Sequence, residues 1–303
     1  VKERGMVAIV ESLARLFSRP RLDLRNDLPQ LDAPISQLCT HAQIESAIYQ
    51  HWLSRMKEPP RRHRKLWEFA YILQVLSEHQ MLQPGRRGLG FGVGTEPLPA
   101  LMASCGVAVH ATDLELEQAK LKGWVATNQH LAALEELNAR QICDEESFRR
   151  LVSFEPIDMN AVPQRLRGFD FTWSSCALEH LGSLKKGLRF IEASLGTLKP
   201  GGVAVHTTEF NCSSDHKTVS RGDTVLYRRR DIVGFLERMT RKGYRTALTL
   251  AVAGDPLDKH VDVPPYSPYD HLRLELHGYV TTSIGMVIQK PDHSAPTRAI
   301  GVS

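Results

Sequence analysis

The sequence predicts an α/β protein: a doubly wound, mostly parallel seven-stranded sheet with an N-terminal helical appendage. Three observations predict it. After Pro84-Gly85, short apolar runs recur at 87–91, 106–112, 151–156, 168–174, 201–208, 245–252 and 281–289, and amphipathic stretches at 97–104, 115–139 and 183–198 separate the earlier ones. Strands alternating with helices give a parallel sheet covered on both faces. The first strand-to-helix turn, within GLGFGVGTEP at 88–97, carries glycine at every second position from Gly88 to Gly94. Residues 1–80 show helical patterning instead.

Taken in order, residues 6–18 place Val7, Val10, Leu13, Leu16 and Phe17 at helical spacing beside a basic flank, which reads as a packing helix in preference to a membrane-surface one. Residues 20–35, rich in Pro, Asp and Asn, form a connector, and 40–57 a helical stretch. The tract EPPRRHRK at 58–65 is a turn and a basic cluster, a pattern usual for a solvated face. It leads into LWEFAYILQVLSEHQML, a helix with Trp67, Tyr71, Gln74 and Val75 on one side. The last two apolar runs have no strong helix between them and predict a terminal antiparallel addition. The expected organisation is an appendage at 1–80, a ligand-binding α/β domain at 81–290 and a flexible tail at 291–303.

Composition narrows the function classes. A formal charge of +4 over 303 residues lacks the basic clustering of a nucleic-acid binder. The five cysteines are scattered without a CxxC pair, which argues against a disulfide scaffold or structural zinc and fits a reducing, cytoplasmic setting. No apolar run approaches the roughly 18 residues of a membrane span.

In such a sheet the ligand lies beyond the carboxyl ends of the strands. Gly92 and Gly94 fall there, where glycine lets the chain turn and lets its backbone approach a ligand. Thr95 suits a helix cap and Pro97 the first helical turn. No register completes G-x-G-x-x-G, and no phosphate-cradling G-x-x-x-x-G-K-[ST] occurs. Asp113, 19 residues after Gly94, ends the second strand. A carboxylate there accepts from ribose hydroxyls, so the expected ligand carries a ribose without a pyrophosphate.

From 85 to 210 this order resembles class I S-adenosylmethionine-dependent methyltransferases, with their Rossmann-like fold. The segments RGLGFGVGTEP, GVAVHATDLE, VSFEPIDMNAVP, FDFTWSSCALEHLGSL and LKPGG before VAVHTTEF stand in the family's sequence. The resemblance implies S-adenosylmethionine as cofactor, held by Gly90, Gly92 and Gly94, by Asp113 and Leu114, by Asp158 and Met159 at the adenine, and by Ser174 and Ser175 at the methionine end. Two departures stand out: the family's acidic residue two before the first loop glycine is Gly90, and a usual third glycine is Glu96. Glu96, Ser174 or the segment containing Arg64, Lys65 and Trp67 is expected to compensate.

Methyl transfer to a hydroxyl requires a positioned acceptor and removal of its proton. A base with a pKa near neutrality contributes roughly 10²–10⁴-fold. His180 and Glu179, in CALEH after the fourth strand, and His206 and Glu209, in HTTEF at the end of the fifth, are the candidates. A structural Glu-His pair and a core histidine are the competing readings. His206, Glu209, Asp215 and His216 follow no metal-ligand spacing, so no metal is expected. Acceptor choice is expected in 1–80 and in the loops 211–230 and 253–273, where Tyr266 and Tyr269 suit a polyol and Arg228–Arg230 suit either an anion or a helix start. The expected reaction is O-methylation of a saccharide, glycan or polar metabolite. Competing readings are an N-methyltransferase, a macromolecule-directed enzyme, and a silent cofactor-binding module; the amino-directed [ND]-P-P-[YF] signature is absent after the fourth strand.

Overall fold

The computed structural model describes residues 20–116, 131, 133–267 and 269–292. The expected helix at 6–18, most of the helical stretch 115–139 and the tail from 293 lie outside these residues.

In chain order the N-terminal part supplies β1 (Asp23–Arg25), β2 (Gln37–Leu38), α1 (His41–Ile44), α2 (Ala47–Arg55), β3 (Arg62–His63) and α3 (Arg64–Glu78). The α/β part follows with β4 (Arg87–Phe91), α4 (Leu98–Ser104), β5 (Ala108–Asp113), α5 (Glu145–Leu151), β6 (Val152–Pro156), β7 (Phe169–Ser175), α6 (Leu184–Leu195) and β8 (Leu198–Asn211). Last come α7 (Arg229–Arg241), β9 (Ala247–Thr249), α8 (Pro256–Lys259), β10 (Asp270–His271), β11 (Leu274–Leu276) and β12 (Tyr279–Gln289).

The main sheet runs β11-β12-β8-β7-β4-β5-β6, with β2 also paired to β12. Strands β4 to β8 are mutually parallel, and β12 lies antiparallel to β8. The chain builds outward from β4 to β6, then returns to β7 on the other side of β4. That reversal opens a crevice at the carboxyl ends of β4 and β7, the position where ligands bind in such sheets.

The sheet has eight strands among the described residues, one more than the apolar runs predict. The run at 245–252 yields only β9, which pairs with β1 in a separate two-stranded sheet. The run meets β12 only at the antiparallel bridge Arg245–Gln289; further along β12 the N-terminal segment takes the place, Leu38 pairing with Ile284 and Gln37 with Gly285, while Ser36 bridges to Leu248. Gln37 and Leu38 carried no strand signal because two residues are too short for a period to register.

Two hydrophobic layers cover the sheet, as the twofold alternation of a strand dictates. On β8, Val203 and Val205 join Trp67, Tyr71, Phe171 and Trp173 on one side. Ala204 joins Phe91, Phe190, Ile191, Phe235 and Met286 on the other. The first layer contains residues of α2 and α3 together with α4.

Gly90 owes its identity to packing. A Cβ there would lie 2.4 Å from Trp173 Cζ2 and 2.7 Å from Val93 Cγ1. The indole of β7 therefore rests directly on the β4 backbone. Replacing Gly90 with Ala is expected to cost about 1–3 kcal/mol by overpacking. Urea unfolding measures this, and an unchanged midpoint would contradict the account.

Candidate active site

A cavity of about 710 Å³ lies over the carboxyl ends of β4, β5, β7 and β8, beneath the start of α3. Its volume is in the range of small-molecule and cofactor sites. One half is built by the glycine turn and the other by charged side chains.

In the glycine half, Gly92 and Gly94 adopt φ of 60° and 49°, which disfavours side chains. A Cβ on Gly92 would lie 2.8 Å from Ala177 Cβ and 3.3 Å from Met159 Sδ, so the turn packs closely against the loop after β7 and has no room for a side chain. Asp113 ties this turn to the end of β5. Its Oδ2 accepts from the Gly94 and Leu131 amides, each at 3.2 Å, and its Oδ1 from the Leu114 amide at 2.7 Å. Asp158 lines the cavity while capping the short 3₁₀ helix Met159–Ala161, accepting from Asn160 N at 2.8 Å. Pro97, not Thr95, occupies the cap position of α4.

Glu96 is buried in the cavity wall and accepts a 2.6 Å hydrogen bond from Trp173 Nε1. Burial pushes its pKa to about 8, with Asp113 and Glu68 adding to the effect and the Trp173 bond and Lys65 opposing it. The acid missing at position 90 thus has a buried counterpart six residues on, hydrogen-bonded to the very indole that Gly90 accommodates.

The charged half centres on α3. Lys65 Nζ donates to Ser175 O at 3.1 Å, Ser175 Oγ at 3.0 Å and Glu68 Oε2 at 3.2 Å. Burial alone would lower the Lys65 pKa, but Glu68 foremost, with Cys176, Glu96 and Glu179, holds it above the usual lysine range. Arg64 pairs with Glu209 Oε1 at 2.5 Å and donates to Ser283 Oγ at 3.1 Å. Cys176 has a left-handed backbone, φ 46°, and its thiol donates to Glu68 Oε1 at 3.0 Å. Glu179 is buried and accepts from Thr208 Oγ1 at 2.9 Å; burial raises its pKa against the pull of His180, and Glu209 raises it further. His180 Nδ1 lies 2.7 Å from the Asp223 carbonyl, which only accepts, so Nδ1 carries the proton and Nε2 is the basic nitrogen.

The cavity therefore gathers Gly92, Gly94, Glu96, Asp113, Leu114, Asp158, Met159, Ser175, Glu179, His180 and Glu209. Four expected residues fall outside its wall. Gly90 lies under Trp173. Ser174 is fully buried and bonded to His206 Nδ1 at 2.8 Å. His206 is itself fully buried, meets Ser194 Oγ through Nε2 at 3.0 Å, and is pushed down to a pKa of about 3 by burial. It is a satisfied core histidine, not a cavity base. Trp67 is also fully buried, donating to Gln43 Oε1 at 2.9 Å and stacking on Tyr71. Two positions beyond Lys65, it points to the opposite side of α3 from that residue. Tyr266 and Tyr269 are exposed away from the cavity wall, and Arg228 forms a helix-start capping box with Asp231.

Arg61 and His63, from 1–80, and Thr224, from the loop 211–230, line the cavity without having been singled out, as do Cys176, Arg140 and Leu276, and Glu68 braces it from beneath. The signal for Glu68 was available: a carboxylate within the apolar run LWEFAYIL must find buried partners. Cys176, Glu179 and Glu209 bring a sulfur and two carboxylate oxygens within 4.8 Å of one another.

No family model and no curated protein matches the chain. Solved structures similar to it include a Haemonchus contortus phosphoethanolamine N-methyltransferase 2, at 22% identity and a TM-score of 0.34, over 58% of this chain and 33% of that one. Another is an O-methyltransferase family protein from Burkholderia thailandensis, at 12% identity and a TM-score of 0.39, over 77% and 60%. A third is the methyltransferase domain of a bacterial CtHen1, at 13% identity and a TM-score of 0.46, over 75% and 100%. The match thus spans a third of the Haemonchus chain and three fifths of the Burkholderia one. These likenesses are distant, and the cavity itself carries the functional reading.

Glu96 makes stability depend on pH in a defined direction. Its pKa of about 8 exceeds the ordinary 4.5, so between these values the folded protein holds a proton that the unfolded chain releases. Its contribution is full below about pH 4.5 and is lost as pH rises through about 8. Unfolding free energies across this window should fall more steeply with pH for the native protein than for Glu96→Gln; parallel curves would contradict the buried acid.

Proposed function

We propose that the chain is an S-adenosylmethionine-dependent methyltransferase that acts on a hydroxyl of a polar small molecule, with a saccharide as the leading acceptor class. The observation that supports it is the glycine cradle at the sheet's reversal point, continuous in one cavity with a compartment of buried acids and partly buried bases. Gly92 and Gly94, both at positive φ, present bare backbone at the cavity wall, where a ligand can be laid against it. Gly92, Gly94, Asp113 and Leu114 would hold the ribose side, Asp158 and Met159 the adenine, and Ser175 and Glu96 the methionine end. In that role Glu96 pairs with the ammonium and gives up its proton on binding. When bound, S-adenosylmethionine supplies a methyl group on a sulfonium, whose departure leaves a neutral thioether.

The chain's own residues serve the acceptor. Lys65 and Arg64 bring fixed positive charge from α3. Glu179, Glu209 and His180 offer proton acceptors at the same wall. Asp113 acts partly through the loop it organises, because its described bonds run to backbone amides.

A thermal-shift series with S-adenosylhomocysteine, S-adenosylmethionine, NAD and ATP tests the reading. Ligand at a hundredfold excess over its Kd should add about 2.7 kcal/mol, a shift of several degrees. Asp113→Ala should weaken S-adenosylhomocysteine about tenfold or more, the loss of charged hydrogen bonds worth about 1.5–3 kcal/mol. Stabilisation by NAD alone would overturn the proposal.

A further inference from the structure

The Arg64–Glu209 ion pair is incomplete in a way that points to its ligand. Arg64 Nη2 contacts Glu209 Oε1 at 2.5 Å, and Arg64 Nη1 donates to Ser283 Oγ at 3.1 Å. Two atoms of the pair remain. Arg64 Nε and Glu209 Oε2 are both buried and have no hydrogen-bond partner among the described residues. Both side chains line the cavity, and they are only 13% and 6% exposed. A buried donor and a buried acceptor left unpaired are each unfavourable, and native interiors rarely keep them so. The guanidinium fork places Nε beside Nη2, so the orphan donor is on the edge already turned to Glu209.

We propose that this pair is the seat of the acceptor hydroxyl, with Arg64 Nε–H donating to its oxygen and Glu209 Oε2 accepting its proton. The inference rests on the methyltransferase reading and names the acceptor class as neutral and hydroxyl-bearing. A hydroxyl brings one donor and two lone pairs, which matches one free acceptor and one free donor. An ammonium brings donors alone and would face the Arg64 N–H with like charge, and a neutral amine that accepted from Arg64 Nε–H would tie up the single lone pair with which it must attack. A divalent cation on Cys176, Glu179 and Glu209 would lie beside the Arg64 guanidinium, and its sulfur ligand is a thiol already donating to Glu68. As the acceptor oxygen bonds to the methyl carbon, the carbon–sulfur electron pair stays on sulfur and the hydroxyl proton remains on Glu209.

The seat places Arg64, at the start of α3, in direct contact with the substrate. Lysine in its place keeps the charge but has a single nitrogen and cannot present the fork.

Crystals grown with S-adenosylhomocysteine and soaked in glycerol test the seat directly. An ordered water or a glycerol hydroxyl between Arg64 Nε and Glu209 Oε2 is expected. A bidentate pair closed on itself, or a metal ion on Glu209, would overturn the proposal. Binding of S-adenosylhomocysteine, measured by calorimetry, separates this outcome from failure of the methyltransferase reading, since the cofactor half does not use the pair. Glu209→Gln should retain that binding and the melting temperature while turnover falls about 10²–10⁴-fold. Loss of all three together would make the pair a structural brace and overturn the seat. Incubation with ¹³C-methyl-labelled cofactor and a metabolite extract supplies the acceptor class: a methyl on oxygen supports the proposal, and one on nitrogen overturns it.

Discussion

The cavity depends on one buried carboxylate. Glu68, 1% exposed, sits where α3 crosses the ends of β7, β8 and β12. It accepts from Lys65 Nζ and Ser175 Oγ through Oε2, and from Cys176 Sγ and Ser283 Oγ through Oε1. Burial would raise its pKa, but Lys65, Arg64 and these donors more than offset that and hold it below the usual glutamate value. A charge so enclosed has no alternative partner once buried, and removing one side of such an arrangement is far more costly than an exposed pair would suggest. Glu68 therefore fixes the height and rotation of α3 over the sheet. Where Arg64 and Lys65 project follows from that rotation.

A second constraint joins strand to loop. Gly90 makes room for Trp173, and Trp173 gives its indole N–H to Glu96. The same β4 strand that opens the crevice thereby sets the position of an acid beside the glycine turn. Burial leaves Glu96 holding its proton near neutral pH. Asp113 completes the turn from the opposite side through backbone amides. Ligand-facing geometry is thus maintained by groups whose own hydrogen bonds run into the protein.

The N-terminal part is integral to this architecture. Gln37 and Leu38 pair with β12, α3 roofs the cavity, and β3 pairs with β10 from the long loop after β9. One hydrophobic layer includes residues of α2 and α3 as well as of α4, β7 and β8. Burial of the aromatic side of α3 follows directly from its composition, for Trp67 and Tyr71 have no other place in water.

The sequence by itself determined the strand–helix alternation, the glycine turn, Asp113 at the end of the second strand and the segment CALEH, because periodicity and local turn chemistry are properties of neighbours in the chain. Only the tertiary structure decided which residues meet. His206 and Glu209 lie three apart on β8, yet opposite pleats and unequal depth send one into a serine-lined core and the other to the cavity. Arg64 and Glu209 are separated by nearly half of the chain and form one ion pair. EPPRRHRK reads as a solvated run because an i, i+3 or i, i+4 charge pair looks the same exposed or buried. Burial is a property of the packed molecule: the crossing of α3 over the strand ends converts a surface-like charge pattern into the charged wall of a cavity.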